Sequence, residues 1–274
     1  MIVEGKKIAD EILAQTAELL KSRSKPLRLA MIYVSGNPES KKYLEMKRTA
    51  GKSIGIESRI YEMEADITSQ NFRKKVVDIA KSSVNHAIIA ELPFPEAINT
   101  QYVLNAIPEE KDPDMLSQKA QGSFFVGRSE ILPPSVEAVK AIFEKYNVDP
   151  KGKNCKVFGY GILIGKPIAH WLASLGATVT ILNEHTLDQK EHSIHADIII
   201  AGANKAGIIT GDMVAEGAIV IDFGYEKIDG QIVGNVVFEE VKNKASIITP
   251  VPGGVGPIGI SSALKNAVRL AIKN

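Results

Sequence analysis

The feature that most constrains this chain is a run of prolines and glycines near its C-terminus, Thr249-Pro250-Val251-Pro252-Gly253-Gly254-Val255-Gly256-Pro257. Proline fixes φ and removes a backbone donor, whereas glycine opens positive φ and lets another molecule approach the backbone. The run is therefore predicted to be a rigid loop rather than helix or central strand. A strand-like stretch, 245–248, precedes it, and a helical pattern with Ile260, Leu264 and Val268 on one face follows. We interpret the loop as a ligand-binding element; an ordinary surface turn is the alternative.

Composition argues against several classes of protein. The chain has 274 residues, a formal net charge of +1 and a single cysteine, Cys155. A near-neutral chain gives no electrostatic reason to expect a nucleic-acid or anionic-membrane partner, and no apolar run approaches the roughly 20 residues that span a bilayer. One cysteine permits no internal disulfide and no secretory signal is recognised, so a cytoplasmic protein is expected. The histidines form no convincing ligand set, so no metal is expected.

Strand-like and helical stretches alternate along the chain, which predicts an α/β fold with parallel sheets. In the first half the predicted helices are 6–21, 41–52 and 68–82, with Ser40 capping the second, and the predicted strands are 29–34, 54–62 and 87–92. The stretch 112–135 lacks strong periodicity and is interpreted as a boundary. After a linking helix, 135–146, a second α/β unit is predicted with strands at 156–158, 178–182, 197–201 and 218–222.

A glycine-rich turn in the second half predicts a dinucleotide site. Gly159, Gly161 and Gly165 follow a strand-like run and open a helix, so a pyrophosphate could approach the backbone at the helix N-terminus. Glu184 follows the next strand, about 20 residues on, where a carboxylate can accept hydrogen bonds from a ribose diol. By charge alone Glu184 favours NAD, since it would repel the 2′-phosphate of NADP. The alternative is a structural turn and a solvated glutamate.

A second set of polar residues lies in the first half. Tyr43 and Lys47 are four residues apart on a predicted helix and so share one face, near the carboxyl end of a strand where α/β sheets bind ligands. Glu91 ends another strand, expected at the same sheet edge. Further on, a carboxylate of Lys111-Asp112-Pro113-Asp114 could pair with the amino and ring N–H groups of a heterocycle in bidentate geometry. On spacing alone, a solvated helix face is an alternative for the tyrosine and lysine, and turn chemistry for Asp112 and Asp114.

Taken in order, these motifs resemble one enzyme family. The chain resembles the methylenetetrahydrofolate dehydrogenase/cyclohydrolases over nearly its whole length. The resemblance rests on five motifs that occur in this order: Y-x-x-x-K, L-P-x-P, K-D-x-D, G-x-G-x-x-x-G-x-P and T-P-V-P-G-G-V-G-P. The resemblance implies two α/β domains flanking a cleft, the second a Rossmann-type parallel sheet. It assigns residues 1–118 plus 258–274 to a folate-binding catalytic domain and 119–257 to a dinucleotide-binding domain. It also implies a homodimer.

The resemblance implies oxidation of 5,10-methylenetetrahydrofolate to 5,10-methenyltetrahydrofolate with hydride transfer to NADP, NAD being the alternative, and then hydrolysis to 10-formyltetrahydrofolate. Carried over by motif, the catalytic residues are Lys47, Tyr43, Asp114 and Glu91. The residues implied to bind the tetrahydrofolate substrate are Tyr43, Lys47, Asp114, Pro252, Gly253 and Gly254. The cofactor residues are Gly159, Tyr160, Gly161, Gly165, Glu184 and Tyr225.

Departures from the family pattern bear on both activities. The family usually has glutamine where this chain has Glu91; a carboxylate beside Lys47 would raise the lysine pKa, so weaker cyclohydrolase than dehydrogenase activity is predicted. The family typically has Arg-Ser at the positions of Tyr160-Gly161, and serine or arginine at the position of Glu184. These two departures argue against NADP as the preferred cofactor.

Two alternative functions explain less of the sequence. Another two-domain NAD(P)-dependent dehydrogenase would leave Y-x-x-x-K, L-P-x-P and P-G-G-V-G-P unexplained. If the chain were a non-catalytic dinucleotide-binding protein, the helix face with Tyr43 and Lys47 would be surface without a function.

Overall fold

The computed structural model describes residues 1–23 and 25–273; Ser24 and Asn274, which fall in ranges assigned above to the catalytic domain, lie outside the described residues. The chain divides into two compact units. We call them the N-terminal unit (Asp10–Pro134 with Ile260–Asn274) and the C-terminal unit (Met1–Ala9 with Ser135–Gly259).

The elements in chain order are α1 (Gly5–Leu20), β1 (Arg28–Val34), α2 (Pro38–Ser53), β2 (Glu57–Met63), α3 (Ser69–Lys81), β3 (Ala87–Ala90), α4 (Thr100–Leu104), α5 (Gln118–Phe125), α6 (Pro134–Tyr146), β4 (Asn154–Phe158), α7 (Gly165–Ser174), β5 (Thr178–Leu182), α8 (Gln189–Ser193), β6 (Ile198–Ala201), β7 (Ile219–Asp222), β8 (Glu226–Ile228), β9 (Gln231–Val233), α9 (Phe238–Val241), β10 (Ile247–Ile248) and α10 (Val255–Lys273). Short 3-10 turns lie at Glu109–Lys111 and Gly211–Met213.

The N-terminal unit is built on a three-stranded parallel sheet in the order β2-β1-β3. Its central strand β1 is apolar after Arg28, as expected for a strand covered on both faces. The apolar stripe of α10, which includes Leu264 and Val268, packs in one cluster with Leu29 and Met31 of β1. The last helix therefore belongs to this unit from Ile260 onward.

The C-terminal unit is built on a five-stranded parallel sheet in the order β10-β7-β6-β4-β5. The chain adds β5 on one side of β4 and then β6 on the other, so the strand order reverses at β4. Open α/β sheets bind ligands at such a switch point, beyond the carboxyl ends of the strands. The parallel strands confirm the predicted α/β class and the Rossmann-type sheet; the antiparallel hairpin β8–β9 was not predicted.

Two local predictions need correction. The N-cap of α2 is Asn37, whose side chain accepts hydrogen bonds from the N–H groups of Glu39 and Ser40; Ser40 itself lies inside the helix. The proline–glycine run is not loop throughout, because α10 begins at Val255 and Pro257 lies in its first turn. Proline is tolerated there because the first N–H groups of a helix have no intrahelical partner.

The stretch 112–135, interpreted above as a boundary, contains a helix, α5. Its first residue, Gln118, donates its N–H to the side chain of Asn105 at 2.7 Å, and the side chain of Gln121 donates to the carbonyl of Leu116 at 2.8 Å. These bonds tie α5 to the chain before it, and the compact N-terminal unit accordingly runs on to Pro134.

No helix among the described residues is long and apolar enough to cross a membrane.

Candidate functional site

Helix α2 places Tyr43 and Lys47 on one side of the N-terminal unit. Pro38 at the start of the helix and the Asn37 cap set where the helix begins, and Ser40, Leu44, Lys47 and Gly51 form its buried face. Lys47 is thus a core-facing lysine rather than part of a solvated helix face, and the exposed fraction of its side chain is only 11%.

The ammonium of Lys47 is paired with a carboxylate. Its Nζ lies 2.7 Å from Oε2 of Glu91, whose side chain is 10% exposed. Glu91 follows β3 directly, and its N–H donates to the carbonyl of Ile32 in β1, so the parallel sheet brings it beside the helix that follows β1. The predicted proximity of Lys47 and Glu91 is present in the structure.

The charges around Lys47 shift several pKa values. Burial by itself would lower the pKa of Lys47, but the carboxylates of Glu91 and Asp114 outweigh burial, and the pKa is raised. Burial raises the pKa of Asp114 to about 6; Lys47 opposes the rise and Glu91 adds to it. Burial also raises the pKa of Tyr43. At neutral pH the set therefore holds a protonated lysine and a neutral phenol among acidic side chains.

The two aspartates of the turn after the 3-10 segment do different things. Asp112 is buried and accepts hydrogen bonds from the N–H groups of Leu116 and Ser117, at 3.2 and 2.7 Å. It therefore stabilises the turn. The pKa of Asp114, by contrast, responds to the charges of Lys47, which lowers it, and Glu91, which raises it. Lys111 donates to the carbonyls of Ala80 and Ser82, which is a structural contact.

In the C-terminal unit, two glycines of the turn after β4 are required by close packing. Gly159 has φ +93°, and a Cβ there would lie 2.3 Å from the carbonyl oxygen of Gly202. A Cβ at Gly165 would lie 2.1 Å from the carbonyl oxygen of Gly159. Gly161 is under no such constraint, because a Cβ there would meet nothing within 4 Å. The exposed Tyr160 has the ammonium of Lys166 over its ring, 5.3 Å from the centroid.

Glu184 lies in the turn that follows β5. Phe158 of β4 pairs with Leu182 of β5, and the N–H of Gly159 donates to the carbonyl of Leu182 at 2.7 Å. The turn with Glu184 and the glycine turn therefore lie side by side at one edge of the sheet. The side chain of Glu184 is exposed.

The proline–glycine loop is closely packed within the C-terminal unit. Gly253 has φ +97°, and a Cβ at Gly254 would lie 2.5 Å from the carbonyl oxygen of Pro250. A Cβ at Gly5 would lie 1.8 Å from the carbonyl oxygen of Gly254, so the start of the chain packs against this loop. Residues 249–254 are thus an irregular segment that packs closely on its neighbours, as a loop rather than as helix or strand.

A buried polar network in the same unit was not predicted. Asp222, at the end of β7, accepts hydrogen bonds from the N–H groups of Gly224, Asn235 and Val236. Its own N–H donates to Oγ1 of Thr249 at 2.7 Å, where the proline–glycine loop begins. Burial raises the pKa of Asp222, against the effect of those three N–H groups.

Asn235 extends this network to the loop after β6. Its side-chain oxygen accepts from the N–H of Ala203 at 2.9 Å, and its amide donates to the carbonyls of Ala203 and Lys205 at 2.9 and 2.6 Å. The network thus ties together the loops at the carboxyl ends of β6, β7 and β10. The sequence feature that could have predicted this network is Asp222, at the end of the predicted strand 218–222, with Gly224 two residues later.

The structure places the sequence-predicted residues in two groups. Tyr43, Lys47, Glu91 and Asp114 belong to the N-terminal unit. The others, Gly159, Tyr160, Gly161, Gly165, Glu184, Tyr225, Pro252, Gly253 and Gly254, belong to the C-terminal unit. Within residues 1–23 and 25–273, no group of three or more His, Cys, Asp or Glu side chains could hold a metal ion.

Two family models match the chain. Residues 3–114 match the model described as tetrahydrofolate dehydrogenase/cyclohydrolase, catalytic domain. Residues 133–274 match the model described as tetrahydrofolate dehydrogenase/cyclohydrolase, NAD(P)-binding domain.

Individual proteins are similar over the full length. The bifunctional protein FolD of Nautilia profundicola is 39% identical over 274 residues, which cover 98% of this chain and 96% of that protein. The crystal structure of FolD from Campylobacter jejuni has a TM-score of 0.95 at 34% identity, covering 100% of this chain and 99% of that one. FolD of Trypanosoma brucei, solved with NADP and an inhibitor, has a TM-score of 0.94 at 29% identity, covering 100% and 97%.

Proposed function

Because the chain belongs to the tetrahydrofolate dehydrogenase/cyclohydrolase family, we propose that it oxidises 5,10-methylenetetrahydrofolate to 5,10-methenyltetrahydrofolate with hydride transfer to NADP. We further propose that it hydrolyses the product to 10-formyltetrahydrofolate more slowly than it forms it. The observation that carries the proposal is the cluster of a buried Lys47 with the partly buried Tyr43, Glu91 and Asp114. Charged groups with shifted pKa values at a sheet edge are typical of ligand sites.

The N-terminal unit is proposed to bind the folate. The pterin offers an amino group and a ring N–H side by side, and the carboxylate of Asp114 can accept both. With a pKa of about 6, Asp114 is largely ionised near neutral pH, as this pairing requires. The phenol of Tyr43 is neutral near pH 7, as tyrosine ordinarily is, and can donate a hydrogen bond to the substrate. Folate contacts by Pro252, Gly253 and Gly254 are proposed on the family motif.

The C-terminal unit is proposed to bind the dinucleotide. The glycines at 159 and 165 allow the turn after β4 to fold closely on its own backbone, and α7 begins directly after it, at Gly165. The N–H of Lys166 already donates to the carbonyl of Gly161, so the turn backbone is the part of this site that a ligand could approach. Such a turn suits a pyrophosphate, so these residues fit the cofactor. Tyr160, Gly161, Glu184 and Tyr225 are proposed as further cofactor contacts.

The oxidation needs little acid–base help. A lone pair on the folate nitrogen pushes electrons toward the bridging carbon as the hydride leaves it. Bound NADP would supply the nicotinamide that accepts this hydride. The contribution of the chain is to bind and orient, and positioning of this kind accounts for much of the rate in cofactor-dependent hydride transfer.

The hydrolysis makes a different demand on the protein. Water must attack the methenyl carbon, and a group on the protein must take up a proton. A neutral amine on Lys47 could do so, but Glu91 at 2.7 Å stabilises the ammonium form. The proposed consequence is a cyclohydrolase activity weaker than the dehydrogenase activity.

Turnover tests the proposal. The purified chain is given methylenetetrahydrofolate and NADP, and reduced cofactor is followed; hydrolysis is measured separately from pure methenyltetrahydrofolate against the spontaneous rate. We expect rapid oxidation and slower hydrolysis. No turnover with NADP or NAD would overturn the proposed function, whereas hydrolysis as fast as oxidation would overturn only the part assigned to Glu91.

A homodimer and a cytoplasmic location are proposed from the family resemblance. Light scattering of the purified chain tests the first, since a mass near 29.7 kDa would identify a monomer.

A further inference from the structure

The turn that carries Glu184 has a defined shape. The N–H of Thr186 donates to the carbonyl of Asn183 at 3.0 Å, and the N–H of Asn183 donates to Oγ1 of Thr186 at 2.9 Å. The N–H of His185 donates to the side-chain oxygen of Asn183, and Gln189 donates to the Asn183 carbonyl. These bonds hold the backbone of Glu184 in place beside the glycine turn.

Few cationic side chains are available near Glu184 to offset its negative charge. The described cationic side chain beside it is His185, whose Nε2 lies 3.8 Å from Oε1 of Glu184; this histidine is charged only when protonated, and both side chains are more than 80% exposed. Lys166, the nearest lysine in sequence on the glycine-turn side, lies over the ring of Tyr160. The sequence from Gly159 to Thr186 contains no arginine, the side chain best suited to a phosphate.

The two cofactors differ at this end only in the adenosine ribose. A ribose diol donates hydrogen bonds that a carboxylate accepts, whereas a 2′-phosphate brings about two negative charges and no donors that a carboxylate needs. An acidic residue after the second strand of a dinucleotide-binding sheet therefore favours the diol.

We propose that Glu184 is a specificity-determining residue and that this chain binds NAD at least as tightly as NADP. The inference rests on the dinucleotide site of the proposed function. Because the carboxylate is exposed, water and salt weaken its repulsion of the phosphate, and the effect is expected to be about tenfold in the dissociation constant.

Calorimetric titration with NAD and with NADP, in the absence of folate, tests the inference. Three forms are compared: the unaltered chain, Glu184→Ser and Glu216→Gln. Glu216 is a glutamate of the same unit and outside the turn, so its substitution is the matched loss of one negative charge. We expect Glu184→Ser to tighten NADP binding about tenfold without tightening NAD binding, and Glu216→Gln to change neither. Added salt should improve NADP binding to the unaltered chain more than to Glu184→Ser.

The possible results distinguish failure of the role proposed for Glu184 from failure of the proposed function. NADP binding measurably tighter than NAD binding in the unaltered chain, or an unchanged NADP-to-NAD ratio in Glu184→Ser, would overturn the role of Glu184 and leave the proposed function standing. No binding of either dinucleotide would overturn both.

Discussion

The Nζ atom of Lys47 lies 2.7 Å from a carboxylate oxygen of Glu91, and the two side chains are only 11% and 10% exposed. A lysine in this setting is held as an ammonium ion.

Replacing Glu91 by glutamine should increase hydrolysis of methenyltetrahydrofolate. The substitution removes the nearest charge that raises the pKa of Lys47, and each unit by which that pKa falls increases the neutral fraction of the amine about tenfold. The hydrolysis rate, measured against pH, should shift toward lower pH, while oxidation of methylenetetrahydrofolate changes less. An unaltered pH profile in Glu91→Gln would show that the carboxylate does not limit hydrolysis.

Replacing Lys47 by methionine should destabilise the fold. The carboxylate of Glu91 would stay buried without its counter-ion, which typically costs about 3–5 kcal/mol in the free energy of unfolding. Adding Glu91→Leu removes the unpaired charge and should recover most of the loss. Urea titration of both variants measures this, and a loss below about 1 kcal/mol in Lys47→Met would contradict strong burial of the pair.

Asp114 should make stability depend on pH. Its pKa is about 6 in the fold against an ordinary value of 3.8, so the folded chain binds more protons than the unfolded chain between these values. The free energy of unfolding that this group contributes is therefore fully present below pH 4 and is lost as pH rises through 6.

Asp114→Asn should remove this loss and raise the free energy of unfolding at pH 7.5 by up to about 3 kcal/mol, with no gain at pH 4. The control is Asp66→Asn at an exposed turn, which should change little at either pH. Urea titrations at both pH values would refute the pKa assignment if the gain from Asp114→Asn were the same at each.

Alanine substitutions at two glycines of the dinucleotide turn should affect thermal stability differently. Gly159→Ala must place a Cβ against the carbonyl of Gly202 at positive φ, so thermal stability should fall clearly. Gly161→Ala meets nothing in the chain, so its stability should be close to that of the unaltered protein. Weaker NADP binding by a stable Gly161→Ala would indicate that the ligand itself approaches this position; equal loss of stability in both variants would contradict the packing described.

Asn235 should affect the dinucleotide more than the folate. Asn235→Ala removes three hydrogen bonds that hold the loop at Ala203 and Lys205, next to the glycine turn. We expect a severalfold rise in the KM for NADP with little change in the KM for methylenetetrahydrofolate. The neighbouring exposed Asn204→Ala serves as the control. An equal rise in both KM values would indicate a general loss of structure instead.

Much of this protein follows from local sequence. Alternating strand-like and helical stretches predicted both sheets, because the apolar period differs between strands and helices and depends only on neighbouring residues. The i,i+4 spacing placed Tyr43 and Lys47 on one face for the same reason. The order of the motifs along the chain identified the family.

Tertiary structure alone decided which distant groups meet. Glu91 is 44 residues from Lys47, and Asn235 is 32 residues from Ala203, so their contacts depend on how parallel strands order themselves in the sheet. Whether Lys47 is buried likewise depends on which face of α2 meets the core. Burial removes water from a charge, and only then do nearby carboxylates set the pKa values on which the proposed chemistry rests.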